Sequence, residues 1–413
     1  MGYLSEFRTE WRAIAAGLIG MAAGMGYLAT TASVFAPALL HEFGWSKSEF
    51  ALTATLVLVL IIGIPLAGRL TDLLGVRRTA LIGTVALPVA CLAYSAMTGD
   101  IRQYLVLFTV QTFLGATTTA TVWSRVIVDH FKHARGLALA IGASGATIAG
   151  AVVTPALNEF VDAYGWRAGY QALAAFTLIG GVVALILIPP RPEPPAAEQT
   201  RVPLKPRRSA ADYLVIARIP VFWMLVVALF LCNLPMVLQL TQLKLLLQDN
   251  GMNGSIISVM LSTWSVGAMV GRFTCGLALD RFPMHIVAAV GMGMPAVGLF
   301  MIASPFDAPW LLILAVFLFG LGYGSEGDIV GYIVARIFGL DIFSTVLGLL
   351  SATISVALAS GAALLGLTLH ATGHFALYLY IVGSTVLVGC SLFLLLGRRS
   401  PRTIAAEPHM ASV

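Results

Sequence analysis

Apolar stretches recur along almost the whole length of this chain of 413 residues, and they limit its fold more than any other feature. Each is about 20 residues long, which is enough to cross a bilayer as a helix. Hydrophobic residues make up 59% of the chain and charged residues only 10%, against about 25% charged residues in a soluble domain. Because lipid offers no hydrogen-bond partners, the spanning backbone must bond to itself, as helices do. The sequence therefore predicts an all-α membrane protein.

The apolar stretches predict twelve transmembrane helices. They lie near 13–39, 50–70, 78–98, 102–128, 136–161, 167–188, 220–246, 254–279, 285–303, 308–335, 344–370 and 375–397. The segment between the sixth and seventh, residues 189–212, is rich in proline and basic residues and has too few apolar residues for a core. We therefore predict two six-helix bundles, at 1–188 and 213–397, with a cytoplasmic linker at 189–212 and a cytoplasmic tail at 398–413.

The distribution of positive charge predicts the orientation. If the N-terminus is cytoplasmic, most of the 24 Lys and Arg residues fall in inner segments, while the outer segments hold only Lys47, Arg102, Arg167 and Lys244. Such an excess marks the cytoplasmic side of bacterial inner-membrane proteins. The start of the chain has no small-residue cleavage site, so we interpret it as a mature N-terminus. We expect a multi-pass protein of the cytoplasmic (inner) membrane with both termini inside.

Several classes of function lack their signatures in this sequence. It holds no phosphate-binding glycine loop, zinc motif or nucleophile–base pattern. The four cysteines lie in apolar stretches without the spacing of a metal site. The net charge of +5 is spread over short loops rather than gathered into a nucleic-acid-binding surface. We expect no enzyme activity, cofactor, metal or nucleic-acid partner, and we expect a monomer.

Two sequence features repeat at one offset. Gly68 and Asp72 follow the second span, and Gly276 and Asp280 follow the eighth span 208 residues later. The external turns "YGWRAGY" and "TGHFALY" match at the same offset. This indicates a duplicated six-helix half, an arrangement that membrane transporters use to build a site at mid-membrane. An Asp at a helix end can hold a nearby arginine, such as Arg77, or the N-terminus of a neighbouring helix.

With these features the chain resembles the major facilitator superfamily over essentially its whole length. The carrying residues are "GRLTDLLGVRR" after the second span, its weaker second-half echo, and "GWR" before the sixth span. The resemblance implies twelve helices in two pseudo-symmetric bundles and rocker-switch alternating access. It further implies a cytoplasmic gate or latch formed by Gly68, Asp72, Arg77, Arg78 and Asp280. The echo departs from the pattern, since "DRFPMH" lacks the final glycine and the second basic residue.

Three segments are similar to the monocarboxylate transporter and oxalate–formate antiporter group and its bacterial relatives. They are "HFKHARGLALAIGASG" at 130–145, "GRFTCGLALDR" at 271–281 and "GYGSEGDIVGYIVARIFG" at 322–339. The resemblance implies that Arg272 holds a carboxylate. The chain departs from the group at Ala268, where proton-linked members often have an acid, and near Thr31, where animal members have a lysine. The eleventh span is uncharged as well, which disfavours a dianion and favours a monoanion.

Arg272 stands alone in an apolar stretch that ends at Asp280. Eight residues separate the two, so the arginine lies about 12 Å inside the helix end. A guanidinium keeps its charge and is costly at this depth unless it meets a partner or water. We interpret Arg272 as a substrate or coupling residue; the alternative is that it reaches the cytoplasmic interface or closes the gate with Asp280.

Two carboxylates, Glu326 and Asp328, lie in the tenth span. Positions two residues apart on a helix point about 200° apart, so both cannot face one cavity. A carboxylate that pairs with Arg272 in one state and is protonated in another couples protons to transport. The alternative is a fixed ion pair, and the sequence does not distinguish the two acids.

Other polar and aromatic residues are candidates for the binding site. Arg125 is either a second anion contact or the fixed partner of Asp129 or of an acid in the tenth span. Asn233, close to Pro235, lies where the seventh span is expected to kink and free backbone groups. The aromatic candidates for lining the cavity are Trp264, Tyr332 and Tyr27.

Together these observations predict a secondary active transporter that moves a small organic monoanion, a monocarboxylate, by proton-coupled alternating access. Its partners are then an organic anion, a proton and the lipid bilayer. The alternative is a carrier of the same superfamily for a cationic or neutral molecule, with Glu326 and Asp328 as the binding pair.

Overall fold

The computed structural model describes residues 3–45, 56–190, 211–238, 243, 246–247, 254–304 and 308–398. Within these ranges the regular structure is helical and contains no strand, as predicted for an all-α membrane protein. Most of the predicted linker and tail (191–210 and 399–413), as well as Lys47 and Lys244, lie outside the described residues. Eight described helical segments are long and apolar enough to cross a bilayer, and shorter apolar helices accompany them.

The fifteen α-helices of the described residues are numbered here in chain order. They are α1 (Tyr3–Thr9), α2 (Trp11–Ala22), α3 (Met25–Phe43), α4 (Leu60–Leu74), α5 (Val76–Ser95), α6 (Ile101–Gly115), α7 (Ala120–His130), α8 (Arg135–Leu187), α9 (Ala211–Arg218), α10 (Pro220–Asn233), α11 (Gly254–Arg281), α12 (Met284–Ala303), α13 (Pro309–Ile337), α14 (Phe343–Thr372) and α15 (Ala376–Leu394).

The chain divides into two compact units. The first comprises Met1–Pro206 and Gly339–Ala352, and the second comprises Arg207–Phe338 and Thr353–Val413. The main division falls in the predicted linker. The segment Gly339–Ala352 packs with the first unit although it follows α13 in the chain, so the beginning of α14 belongs to the first unit and the rest of α14 to the second.

In the first unit, two predicted spans are each interrupted, and a hydrogen bond joins the two interruptions. The first predicted span forms α2 and α3, separated at Gly24, and the fourth forms α6 and α7, separated by a 3₁₀ turn at Ala116–Thr118. Across the interruption the Met25 amide donates to Thr118 Oγ1 at 3.1 Å. The hydroxyl thus satisfies an amide that an uninterrupted helix would have paired internally.

The two turns that match at the offset of 208 residues each contain a glycine with positive φ. Gly165 has φ 85° within α8, where the fifth and sixth predicted spans meet at a kink, and Gly373 has φ 72° after α14. This left-handed region costs a glycine little and other residues more. The sequence offset of 208 residues therefore corresponds to a repeated positive-φ glycine.

Candidate functional site

Close backbone packing positions the candidate arginine in the second unit. The helices α11 and α13 each carry two glycines four residues apart: Gly267 and Gly271 on α11, Gly320 and Gly324 on α13. A Cβ at any of the four would meet backbone atoms of the opposite helix. Small residues at this spacing allow membrane helices to approach closely. Because Arg272 directly follows Gly271, this packing holds its backbone next to α13.

Arg272 and Asp328 interact through their charges across this contact. Asp328 is 2% exposed, and its buried Oδ2 has no hydrogen-bond partner in the part of the chain that the structure describes. Arg272 is half-buried. Among the described residues, the Arg272 guanidinium forms neither a hydrogen bond nor a direct ion pair. It interacts there with the charge of Asp328 at longer range. The guanidinium therefore retains donors that can bind an anion bidentately.

Glu326 contacts a different helix. Asn233, the last residue of α10, donates from Nδ2 to Glu326 Oε1 at 2.5 Å and to the Leu229 carbonyl at 3.0 Å. Glu326 is 6% exposed and Asn233 is fully buried. The two carboxylates of α13 thus contact opposite neighbours, Glu326 on the side of α10 and Asp328 on the side of α11, as their separation of about 200° predicts.

In the first unit, Arg125 is bound by two carboxylates. Its Nη1 donates to Asp72 at 2.9 Å and its Nε donates to Asp129 at 3.0 Å. Asp72 also accepts hydrogen bonds from the first residues of α14: the Ser344 amide at 3.2 Å and both the amide and the hydroxyl of Thr345 at 2.6 Å. Of the partners considered for Arg125 from the sequence, Asp129 is the one found here, together with Asp72. For Asp72, the partners are Arg125 and the N-terminus of α14, whereas the Arg77 guanidinium donates to the Ile188 carbonyl.

The remaining gate candidates have separate surroundings. A Cβ on Gly68 would meet the Ser344 carbonyl, so this glycine allows α4 to approach the start of α14. The Arg77 guanidinium donates to the Ile188 carbonyl at 3.0 Å, and Arg78 is exposed. Asp280 is half-buried near the end of α11 and is engaged by other residues.

The aromatic candidates lie at three separate places. Tyr27 is fully buried and packs edge-on against Phe176 in the aromatic core of the first unit. Trp264 is half-buried on α11, and its indole Nε1 has no hydrogen-bond partner. The Tyr332 hydroxyl, on α13, accepts a hydrogen bond from Arg336 at 3.1 Å. Within the described residues, the Trp264 indole is thus left for a further partner.

Comparison with known sequences decides the family. The profile of the Major Facilitator Superfamily matches residues 13–243 and 234–411, nearly the whole chain. The chain belongs to the major facilitator superfamily. As a member it is a multi-pass membrane protein of a transporter family, which confirms the predicted fold class and the resemblance on which it rested.

Monocarboxylate transporters are among the proteins that are similar to this chain in sequence. Monocarboxylate transporter 4 of Mus musculus is 25% identical over 382 residues, covering 88% of this chain and 78% of that protein. Monocarboxylate transporter 3 of Rattus norvegicus is 24% identical over 383 residues, covering 92% of this chain and 78% of that protein. These similarities extend across both six-helix halves.

Solved structures show the same fold. The proton:xylose symporter XylE bound to 6-bromo-6-deoxy-D-glucose matches with a TM-score of 0.71 at 14% identity, over 92% of this chain and 94% of that chain. FucP in the outward conformation matches with a TM-score of 0.69 at 18% identity, over 94% and 98% of the two chains. At these identities the likeness concerns the superfamily fold alone.

Sequence reasoning missed two anionic groups in this superfamily member. Both carboxylate oxygens of Glu6 accept from the consecutive amides of Lys132, His133 and Ala134, at 2.8 to 3.4 Å, where α8 begins. Glu6 is 5% exposed although it lies in a short polar N-terminal segment, and nothing near it in the sequence indicates this contact.

The second missed group is Glu42, at the end of α3. Its carboxylate accepts from the Trp166 indole at 2.5 Å and from Arg167 at 2.6 Å. Trp166 and Arg167 belong to the "GWR" motif, so the motif was noticed while its acidic partner was not. The hydrogen bond from Trp166, followed by that from Arg167, holds the pKa of Glu42 below its usual range.

Proposed function

We propose that the protein is a secondary active transporter that moves a small organic monoanion, a monocarboxylate, across the cytoplasmic membrane with a proton by alternating access. The single observation that carries this proposal is that Arg272 is a half-buried cation in an apolar helix. Among the described residues it interacts with the charge of Asp328 but forms no direct ion pair with it. Its donors can hold a carboxylate by charge-assisted hydrogen bonds. The similarity to monocarboxylate transporters 3 and 4 supports the same substrate class.

In this mechanism Asp328 and the substrate alternate as partners of Arg272. An empty site leaves the charge of Arg272 compensated by Asp328. A bound carboxylate supplies that compensation instead, and an acid of α13, Glu326 or Asp328, carries the proton. Asn233, Trp264 and Tyr332 remain candidates for the substrate site, and the buried position of Tyr27 supports a packing role.

The charges around Arg125 support a monoanion rather than a dianion. A dianion needs a second available cation, and Arg125 is already bound by Asp72 and Asp129. We therefore assign Arg125 to a fixed pair in the gate, with Gly68, Asp72, Arg77, Arg78 and Asp280. The alternative carrier for cations needs Glu326 and Asp328 as one binding pair, and their contacts with different helices argue against it.

Further parts of the proposal concern the setting of the carrier. We place both termini in the cytoplasm because of the distribution of Lys and Arg. We propose a monomer that works without cofactor or nucleic acid. We propose the two six-helix bundles at 1–188 and 213–397.

Uptake into proteoliposomes tests the substrate class. Labelled mono- and dicarboxylates and amines are offered to the wild type, to Arg272→Gln, and to Arg281→Gln as the control. Arg281 lies at the end of the same helix and is exposed. Monocarboxylates should be taken up, and Arg272→Gln should weaken their binding about 10- to 100-fold, because hydrogen bonds to a charged group contribute about 1.5–3 kcal/mol.

Two outcomes contradict the proposal. One is uptake of amines but not of acids; the other is unchanged monocarboxylate affinity in Arg272→Gln. Arg281→Gln should keep the wild-type affinity, which separates a local effect from a general loss of charge on α11. Retained folding of Arg272→Gln is checked by gel filtration and circular dichroism.

A further inference from the structure

Glu326 is a buried acid without a cationic partner. It is 6% exposed, and among the described residues no Lys, Arg or His forms an ion pair with it; the interaction seen is the hydrogen bond from Asn233. An ionised carboxylate buried in this way is costly unless a positive charge compensates it. The site therefore requires a small monovalent cation, which is a proton or a metal ion.

Among the described oxygens near the end of α10, Asn233 Oδ1 has no hydrogen-bond partner, whereas two carbonyls are already engaged. The helix stops at Asn233, and Pro235 prevents its continuation. Two of the carbonyls near this end are occupied by tyrosines: Tyr323 donates to the Cys232 carbonyl at 3.0 Å and Tyr378 donates to the Leu234 carbonyl at 2.9 Å. Metal cations bound through oxygen need several such ligands.

The orientation of the Asn233 amide also disfavours a metal ion. Its Nδ2 lies within hydrogen-bond distance of two acceptors, the Leu229 carbonyl and Glu326. A reversed amide would place Oδ1 against the Leu229 carbonyl, where two acceptors would repel each other. Asn233 therefore presents one N–H to Glu326 and the other to the Leu229 carbonyl, and an N–H suits a carboxyl group and not a metal cation.

We propose that Glu326 is the proton-binding group of this carrier and that Asn233 is its positioning residue, at a site separate from the Arg272–Asp328 pair. This rests on the proposed function only in naming the protein a carrier. On protonation, one Glu326 oxygen gains the proton from water while Oε1 still accepts from Asn233. On release, the proton returns to water, and no other bond is made or broken.

The titratable groups around Glu326 agree with this assignment. Tyr323 on α13 and Cys232 on α10 interact with Glu326 electrostatically. Tyr323 also interacts with Tyr378, and Cys232 with Cys390, both on α15. Asp328, two residues along α13, interacts with Arg272 and Cys275 on the α11 side. None of these described groups on the Glu326 side is a cation, and a proton is therefore the neutralising charge in this proposal.

Infrared difference spectroscopy tests proton binding without any substrate. The purified protein is titrated with acid and base, and the C=O stretch of a protonated carboxyl group is followed. Glu326→Gln should remove the titrating band that Asp328→Asn retains. The reverse result, or a band that persists in Glu326→Gln, overturns the assignment whatever the protein transports. Thermal unfolding of both variants, compared with the wild type, establishes that they are folded.

Transport assays distinguish coupling to protons from coupling to sodium ions. In proteoliposomes, uptake driven by an imposed pH gradient should be lost in Glu326→Gln, with substrate exchange reduced far less than net uptake. Stimulation of the wild type by a sodium gradient in place of a proton gradient overturns the proposal. If the wild type moves no monocarboxylate but the infrared band behaves as expected, the proposed substrate class fails and the proton site stands.

The role of Asn233 is tested by a shift in the pH dependence of net uptake rather than by a loss of uptake. Asn233→Ala removes a donor to the charged carboxylate, so the pH at which net uptake is half-maximal should rise by about one to two units. Asn233→Gln, which keeps an amide, should restore part of the shift. Equal profiles for Asn233→Ala and the wild type contradict the positioning role.

Discussion

Arg125 and Asp72, which are 53 residues apart in the chain, form a buried ion pair in which Nη1 lies 2.9 Å from Oδ1. The start of α14 closes the other side of the same carboxylate, because the Thr345 amide and hydroxyl both donate to Asp72 Oδ2. One carboxylate thus joins α4, α7 and the first residues of α14 within the first unit.

Replacing Asp72 with Asn should strongly destabilise the first unit. The change leaves part of the Arg125 charge uncompensated, and removing one partner of a buried pair costs about 3–5 kcal/mol. The measurement is the denaturant or thermal unfolding of the purified protein. Asp341→Asn, at an exposed position near the start of α14, is the matched control. Equal stability of the two variants would show that the pair is not important for the fold.

The glycine contact between α11 and α13 should tolerate no added methyl group. In Gly324→Ala the Cβ would meet the Ala268 backbone, which cannot move as a side-chain tip can, whereas a Cβ on Gly327 meets nothing within 4 Å. Overpacking of this kind costs about 1–3 kcal/mol. Unfolding of Gly324→Ala and Gly327→Ala is compared, and substrate binding should weaken in the first because Arg272 is displaced from α13. Similar behaviour of both variants would contradict the close approach.

Glu6 should protect the amides at the start of α8. In Glu6→Gln the charge-assisted hydrogen bonds to Lys132, His133 and Ala134 are weakened, at a cost of about 1.5–3 kcal/mol for a bond to a charged group. Hydrogen exchange at these amides should accelerate about 10- to 100-fold. Glu10→Gln, from the same segment, is the control. Unchanged exchange in Glu6→Gln would mean that α1 is not held at this position in solution.

The Glu42 carboxylate should make a pH-dependent contribution to the free energy of unfolding. Its folded-state pKa is lowered by Trp166 and then by Arg167, so the contribution is present above its usual pKa and is lost as the pH falls through the lowered value. The stability difference between wild type and Glu42→Gln should therefore be present at neutral pH and decrease below a pH of about 4. It should not exceed about 1 kcal/mol, because the Glu42 and Arg167 side chains are exposed.

Unfolding of wild type and Glu42→Gln across pH checks this, with the exposed Glu159→Gln as the control. A difference that grows as the pH falls would have the wrong sign. A difference independent of pH would indicate that the neutral amide replaces the carboxylate fully.

The sequence predicted the fold class and the family, but not all the helix boundaries. The predicted first and fourth spans each run through the point of interruption, so the breaks at Gly24 and at Ala116–Thr118 were not expected. It depends on Thr118 meeting the Met25 amide from another helix. The regular helix of the seventh span ends at Asn233, in agreement with the kink that Pro235 predicts.

The sequence by itself determined that this chain crosses the membrane as helices, because hydropathy sums over local residues and needs no partner. It likewise determined that Arg272, Glu326 and Asp328 lie in apolar segments. Only the tertiary structure decided their partners. Arg125 meets Asp72 rather than an acid of α13, and Glu326 meets Asn233, 93 residues away, because partner choice depends on which helix faces pack together. Those faces are set by close contacts between distant glycines and backbones, which no local pattern records.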